Sequence, residues 1–183
     1  QRHQSSLREK PMNLRVIFAV CIIAAFGSSL MTFDALGQKQ SLKEKLVGTW
    51  LQVSVDVVSS DGTRRPLFGE NPKGIVIYTS DGYFSLMQAR ADLPKLVSGR
   101  PQTATADEAK AVLAGSIAYF GKYSLDEASN VLSVDIQAST FANLTGDPTE
   151  KRTITSLTES ELKFTRPGLL PNTTLEVVFK RAK

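Results

Sequence analysis

The sequence predicts a mainly β fold: an eight-stranded antiparallel barrel with one inserted α-helix. Segments in which apolar and polar residues alternate with a period of two recur along the chain, and short turn signals separate them. Only residues 106–117 carry convincing apolar spacing of the helical kind. Because an open sheet in so short a chain would leave two edges uncovered, we predict that the strands close into a barrel.

The N-terminal residues 1–37 predict an extension and a signal peptide rather than part of the domain. Basic residues precede the apolar run 16–26, and the small-x-small sequence Ala35-Leu36-Gly37 follows it. We expect cleavage after Gly37, Met12 as the natural initiator and a secreted or periplasmic domain over residues 38–183. An uncleaved membrane anchor is the alternative, since the apolar character extends close to the minimum length of a membrane span.

The first elements of the domain are a short helical lead-in over 38–46 and a strand over 49–58. Alternation places Leu51, Val53 and Val55 on one face of the strand and the chain's only tryptophan, Trp50, on the other with Gln52. If Trp50 points into the barrel, the polar residues on its face, such as Gln52, also point inward. This arrangement conflicts with the rule that the apolar face of a strand is buried. Three explanations remain open: a bulge that switches the faces after Trp50, a helix covering the outer row, or a polar interior.

The middle of the chain predicts a hairpin, a loop and the inserted helix. Strands over 74–78 and 83–88 flank Ser80-Asp81-Gly82, a typical hairpin turn. A loop over 90–104 leads to Thr105, which can cap the helix because carboxylates follow in its first turn. Five further strands complete the count of eight, and we place them at residues 119–125, 131–138, 151–157, 161–166 and 173–181.

The positions of histidine and cysteine exclude several kinds of chemistry. The only histidine, His3, and the only cysteine, Cys21, both precede residue 38. The domain therefore has no Ser-His-Asp or Cys-His nucleophile and no His/Cys metal site, and we expect neither metal nor cofactor. Four of the 22 basic and two of the 18 acidic residues also precede residue 38, which leaves a net charge of about +2. This balance predicts no nucleic-acid partner, and contact with a membrane only through the signal segment before cleavage.

Several short motifs occur in an order that resembles a known family. Gly48-Thr49-Trp50 opens the first strand, and Asn71-Pro-Lys-Gly74, Tyr78-Thr-Ser-Asp-Gly82 and Ala118-Tyr-Phe-Gly-Lys-Tyr123 follow. In this order the motifs resemble the bacterial and fungal lipocalin-like domain proteins, which have the calycin type of β-barrel. The resemblance covers about residues 44–181.

The resemblance implies a role for Trp50 in closing one end of the barrel. In calycins this tryptophan packs against an arginine or lysine of the last strand, and Arg181 is the matching residue here, with Lys180 as the alternative. Gly48 would allow the close approach at that end. The sequence departs from the family at Ala142-Asn143-Leu144 and near Asp135, so the family's ligands and chemistry transfer poorly.

The leading functional hypothesis is a small hydrophobic or amphipathic ligand inside the barrel. Core filling is the competing interpretation of the aromatic residues, and no catalytic residue is assigned. The alternatives are a cofactor-free isomerase or cyclase that uses a buried tyrosine or the pair Asp56 and Asp135, and a ligand-free structural or interaction barrel; the oligomeric state is left open. The candidate lining residues are Trp50, Tyr78, Tyr83, Tyr119, Tyr123 and Phe141, with Asn143, Arg90 or Arg152 orienting a polar end.

Overall fold

The computed structural model describes residues 40–146 and 150–183. The predicted signal peptide and its cleavage site after Gly37 lie outside the described residues. Within the described part of the chain, no helix has both the length and the apolar character needed to cross a membrane.

Eight strands form a closed antiparallel barrel, as the sequence predicted. Strand β1 pairs with β3 on one side and with β9 on the other, and each strand from β3 to β9 pairs with the next one along the chain. A ninth strand, β2, has three residues and pairs with residues 56–58 near the C-terminal end of β1. The strands are β1 (Gly48–Ser59), β2 (Arg64–Pro66), β3 (Lys73–Tyr78), β4 (Tyr83–Ala89), β5 (Ser116–Asp126), β6 (Val131–Ser139), β7 (Lys151–Leu157), β8 (Glu161–Pro167) and β9 (Thr173–Arg181).

Two α-helices accompany the barrel in the described residues: α1 (Leu42–Leu46) and α2 (Ala106–Gly115). The inserted helix α2 begins as predicted, because Thr105 and Glu108 form a reciprocal capping box. It ends two residues earlier than predicted. Ser116 and Ile117 already pair with Ala89 and Gln88 of β4, so the chain passes from helix to strand without a loop.

A bulge in β1 explains the conflicting faces of the first strand. Gln52 lies opposite Phe179 of β9, but Ser54 lies opposite the next residue, Val178, so Val53 is an extra residue. Trp50 and Gln52 are buried before the bulge, and Val55 and Val57 are buried after it. Of the three explanations, the face-switching bulge is therefore the one that the structure contains.

Trp50 and Arg181 close one end of the barrel. The indole is fully buried, and its Nε1 donates a hydrogen bond to the carbonyl oxygen of Leu46, 2.8 Å away. The Arg181 guanidinium lies 4.1 Å from the indole ring centroid. Gly48 adopts a φ of 130°, and a Cβ there would lie 2.7 Å from the Arg181 Nη1, so a side chain at this position would displace the arginine.

The same guanidinium joins two separate segments of backbone. It donates hydrogen bonds to the carbonyl oxygens of Glu159 (2.7 Å), Val47 (3.1 Å) and Lys45. Glu159 belongs to the β7–β8 turn, and Lys45 and Val47 belong to the end of α1 and its link to β1. One side chain therefore ties the β7–β8 turn to the segment that leads into β1.

Replacing Arg181 with methionine should destabilise the barrel. A cation over an indole contributes about 0.5–2 kcal/mol, and each of the two hydrogen bonds to part-buried carbonyls contributes about 0.5–1.5 kcal/mol, so we expect a loss of about 2–4 kcal/mol in the free energy of unfolding. Urea denaturation followed by circular dichroism measures it. Lys180→Met is the matched control, because Lys180 is exposed on the same strand, and it should change stability by less than about 0.5 kcal/mol. Equal effects of the two substitutions would contradict this role of Arg181.

Candidate ligand-binding site

A cavity of about 230 Å³ lies inside the barrel at the end away from Trp50. Its walls come from β1, β4, β5, β8 and β9, at residues such as Val55, Leu86, Leu175 and Val177. The polar side chains on the walls are Gln88, Ser116, Tyr119 and Arg166. The cavity is therefore mainly apolar, with a small number of polar groups.

The mouth of this cavity is covered by three segments outside the barrel wall. Leu113 and Ala114 come from α2, Leu67 and Phe68 from the connection between β2 and β3, and Leu169 from the β8–β9 loop. Leu113 and Leu169 remain 60% and 59% exposed. The cover is thus apolar on the inside and still accessible to solvent.

A fully buried arginine, Arg152, lies behind the floor of the cavity. Its guanidinium carbon lies 5.3 Å from the ring centroids of Phe84 and Phe164 and 5.7 Å from that of Tyr119. Its Nη1 donates to the Tyr78 hydroxyl oxygen at 3.3 Å, and its Nη2 donates to that of Tyr119 at 3.0 Å. Because the Tyr119 and Phe164 rings also line the cavity, they separate it from Arg152.

Burial and charge act in opposite directions on the ionisable groups of this cluster. Burial raises the pKa of the Tyr78 phenol, which therefore stays neutral at physiological pH. Desolvation on its own lowers the pKa of the Arg152 guanidinium, but the oxygens of Tyr119, Tyr78 and Glu150 raise it by more. Arg152 is consequently a buried permanent cation whose nearest neighbours are aromatic rings and phenol oxygens.

Glu150 lies between two arginines at the edge of the cavity. Its Oε2 accepts a hydrogen bond from Arg166 Nη1 at 3.0 Å, and its Oε1 lies 3.9 Å from Arg152 Nε. Among the described residues, neither Glu150 Oε1 nor Arg152 Nε has a hydrogen-bond partner. The three side chains therefore form a buried cluster with two positive charges and one negative charge.

The sequence reasoning selected Arg152 but missed its two charged neighbours. Glu150 precedes Arg152 by two residues, and Arg166 follows the inward Phe164 by two residues. Alternation alone would have placed both of them on inward faces once Arg152 and Phe164 were assigned there. The signal was present, but it depended on knowing which face of each strand is buried.

Five of the nine predicted ligand-binding residues lie in the barrel interior, but only one of the five lines the cavity. They are Trp50, Tyr78, Tyr119, Tyr123 and Arg152. Trp50, Tyr78 and Tyr123 are buried outside the cavity lining, and the Tyr123 hydroxyl donates to the Thr79 carbonyl at 2.7 Å. Tyr119 is both a lining residue and a partner of Arg152. A sixth residue, Phe141, lines the cavity from the segment after β6.

The other three predicted ligand-binding residues do not reach the interior. Tyr83 is exposed on the outer face of β4, where the Lys122 ammonium lies 5.5 Å from its ring, because its neighbour Phe84 takes the inward position. Arg90 pairs with Asp92 on an exposed loop. Asn143 is exposed in a short 3-10 turn.

The proposed carboxylate pair of the enzyme alternative does not form. Asp56 lies on the outer face of β1 after the bulge, between the buried Val55 and Val57. Asp135 is exposed on β6, which is four strands away from β1 in either direction around the barrel. No three His, Cys, Asp or Glu side chains within residues 40–146 and 150–183 are grouped so that they could hold a metal ion.

A family model covers most of the described chain. The model of a family described as a lipocalin-like domain matches residues 47–177, which run from just before β1 into β9. Among solved structures, the chain is similar to a deswapped triple mutant of bovine odorant binding protein. The identity is 11%, the match covers 75% of this chain and 74% of that one, and the TM-score is 0.37. No curated protein matches the chain.

One buried amide, that of Gln52, provides a test of the interior packing. Both polar atoms of this side chain are buried without a hydrogen-bond partner in the described residues. Because an unpaired buried polar group is costly, Gln52→Met should raise the free energy of unfolding by about 1–2 kcal/mol. Chemical denaturation measures the change, and Gln137→Met on the exposed face of β6 should alter stability by less than about 0.5 kcal/mol. A loss of stability in Gln52→Met would mean that the amide is paired in solution.

Proposed function

The chain belongs to the lipocalin-like domain family, and we propose that it binds a small hydrophobic or amphipathic molecule in the cavity at the open end of its barrel. The cavity itself supports this function. Its walls are apolar, a few polar side chains interrupt them, and α2 covers part of the mouth. Binding sites for small molecules combine these properties: a concave, mostly apolar surface with a few polar groups that fix orientation.

The size of the cavity limits the proposed ligand. Its volume of about 230 Å³ is below the roughly 300–1,000 Å³ typical of sites for drug-sized molecules. The rest of the interior is occupied by side chains, including Trp50, Tyr78, Phe84 and Arg152. A single ring or a chain of medium length suits this space better than a long acyl chain or a fused ring system.

The two alternative functions have less support. An isomerase or cyclase would need an acidic or phenolic group that faces its substrate. Asp56 and Asp135 face outward, and the Tyr119 hydroxyl accepts a hydrogen bond from Arg152 behind the cavity floor. A ligand-free structural barrel would have no reason to keep a mainly apolar space of this size inside it.

We also propose that residues 1–37 direct export and are then removed. Expression in a Gram-negative host should release into the periplasm a chain that begins at Gln38, and intact-mass spectrometry measures this. Ala35→Arg should block processing because the cleavage site needs a small residue, whereas Gln40→Arg, beyond the site, should be processed normally. Recovery of the unprocessed chain in the membrane fraction would favour the anchor instead.

Filling the cavity should abolish binding without unfolding the barrel. Val177 is buried on the cavity wall, and the next residue, Val178, faces outward on the same strand. With 1-octanol as a probe in isothermal titration calorimetry, we expect Val177→Phe to weaken binding at least tenfold and Val178→Phe to change it less than twofold. Circular dichroism checks that both variants fold.

This experiment can also refute the proposed function. If the wild-type protein binds none of 1-octanol, octanoate and octylammonium, the cavity is not a site for ligands of this size. Equal loss of affinity in Val177→Phe and Val178→Phe would place the binding site outside the cavity.

A further inference from the structure

We propose that the cavity selects a small apolar molecule ending in a single carboxylate, that Arg166 binds this carboxylate, and that Glu150 sets the charge of the site to that of a monoanion. The inference rests on the proposed function, because it specifies the ligand class of the same cavity. Three observations carry it: the charge of the buried cluster, the position of Arg166, and the incomplete pairing between Glu150 and Arg152.

Within the described residues, the buried cluster carries one positive charge more than it has negative charges. Arg152 and Arg166 are permanent cations, with side chains 0% and 10% exposed, and Glu150, 8% exposed, neutralises only one of them. The Tyr78 phenol, whose pKa burial raises, contributes a dipole but no charge. Because an unpaired buried charge is unfavourable, an anion that reaches the cluster gains a strong interaction.

Arg166 is the member of the cluster that a ligand can reach. It lines the cavity, while Arg152 lies behind the rings of Tyr119 and Phe164 with both Nη atoms bound to phenol oxygens. The Arg166 side chain has one hydrogen bond within the described residues, from Nη1 to Glu150. A guanidinium has five N–H donors in a planar fork, so donors remain for the carboxylate of a ligand.

The chemistry of the remaining wall favours a monoanion over other charged ligands. Arg166 is the only permanently charged side chain on the cavity lining formed by the described residues, where no Asp, Glu or Lys occurs. An ammonium ligand would meet the Arg166 cation, whose carboxylate partner Glu150 is already hydrogen-bonded to it and does not line the cavity. A second carboxylate on the ligand would have to remain among apolar walls, at a high cost of desolvation.

Incomplete pairing within the cluster is an independent indication of a ligand site. Glu150 Oε1 and Arg152 Nε face each other at 3.9 Å, beyond hydrogen-bond distance, and both are buried without partners in the described part of the chain. Buried polar groups in native proteins are normally hydrogen-bonded. A carboxylate bound to Arg166 would compete with Glu150 for donors and allow the Glu150 side chain to pair more closely with Arg152.

Titration calorimetry with three ligands of matched length tests the inference. Octanoate, 1-octanol and octylammonium are compared on the wild-type protein at pH 7.5. We expect octanoate to bind at least tenfold more tightly than 1-octanol, although its ionised head group is harder to desolvate, and octylammonium to bind most weakly. Octanoate affinity equal to or below that of 1-octanol would overturn the inference, and so would tightest binding of octylammonium.

Variants then assign the preference to particular residues. Arg166→Met should bring the affinities for octanoate and 1-octanol to within about threefold of each other. Arg65→Met, an exposed position on β2, is the matched control and should keep the full preference. A preference that survives Arg166→Met would assign the carboxylate to another residue and refute the role of Arg166.

Glu150→Gln tests whether Glu150 sets the charge of the site. With two uncompensated cations, this variant should bind octanoate more tightly than the wild-type protein and should gain measurable binding of octanedioate. Unchanged selectivity in the folded variant would contradict this role. If Glu150→Gln does not fold, the comparison of Arg166→Gln with Arg166→Lys tests the role of charge in the site instead. Only the lysine variant should retain part of the preference for octanoate.

The outcomes separate this inference from the proposed function. Binding of 1-octanol in the cavity without a preference for octanoate would leave the proposed function standing and remove the inference. Absence of binding by all three ligands would remove both.

Discussion

The face-switching bulge at Val53 is the constraint on which the interior of this barrel depends. Side chains alternate along a strand, so one inserted residue exchanges the inward and outward rows of everything after it. Before the bulge, Trp50 and Gln52 point inward, and after it, Val55 does. If the same residues alternated regularly without a bulge, an inward Trp50 would bring Ser54 inside in place of Val55, and the cavity would lose part of its apolar wall.

A permanent cation in the middle of the barrel is tolerated because of what surrounds it. Arg152 has aromatic rings on several sides, two phenol oxygens as acceptors and a carboxylate nearby, so much of the hydration that it loses is replaced. The same rings lie between the part of the interior that side chains fill and the part that contains the cavity. Tyr119 and Phe164 therefore belong to both parts, since their rings are neighbours of the cation and also form the floor of the cavity.

The sequence predicted the barrel better than it predicted the site. Period-two segments and turn residues located all eight barrel strands and α2, but β2 has only three residues, one of them a proline, and carries no periodic signal. Alternation defines two faces of a strand without saying which face is buried. The candidates Tyr83, Arg90 and Asn143 lie outside the cavity for this reason or because they lie on loops, and Glu150 and Arg166 were not among the candidates. Register around the barrel is a long-range property that no local pattern contains.

The cover over the cavity is less firmly attached than the wall beneath it. Gly115 is the only buried residue of α2, and the Leu113 side chain remains mostly in solvent. For the ligand proposed above, the exposed cover would act on the rates of entry and exit, while the barrel wall would act on the affinity. A substitution in the cover that changes both rates by the same factor would change the residence time and leave the affinity as it is.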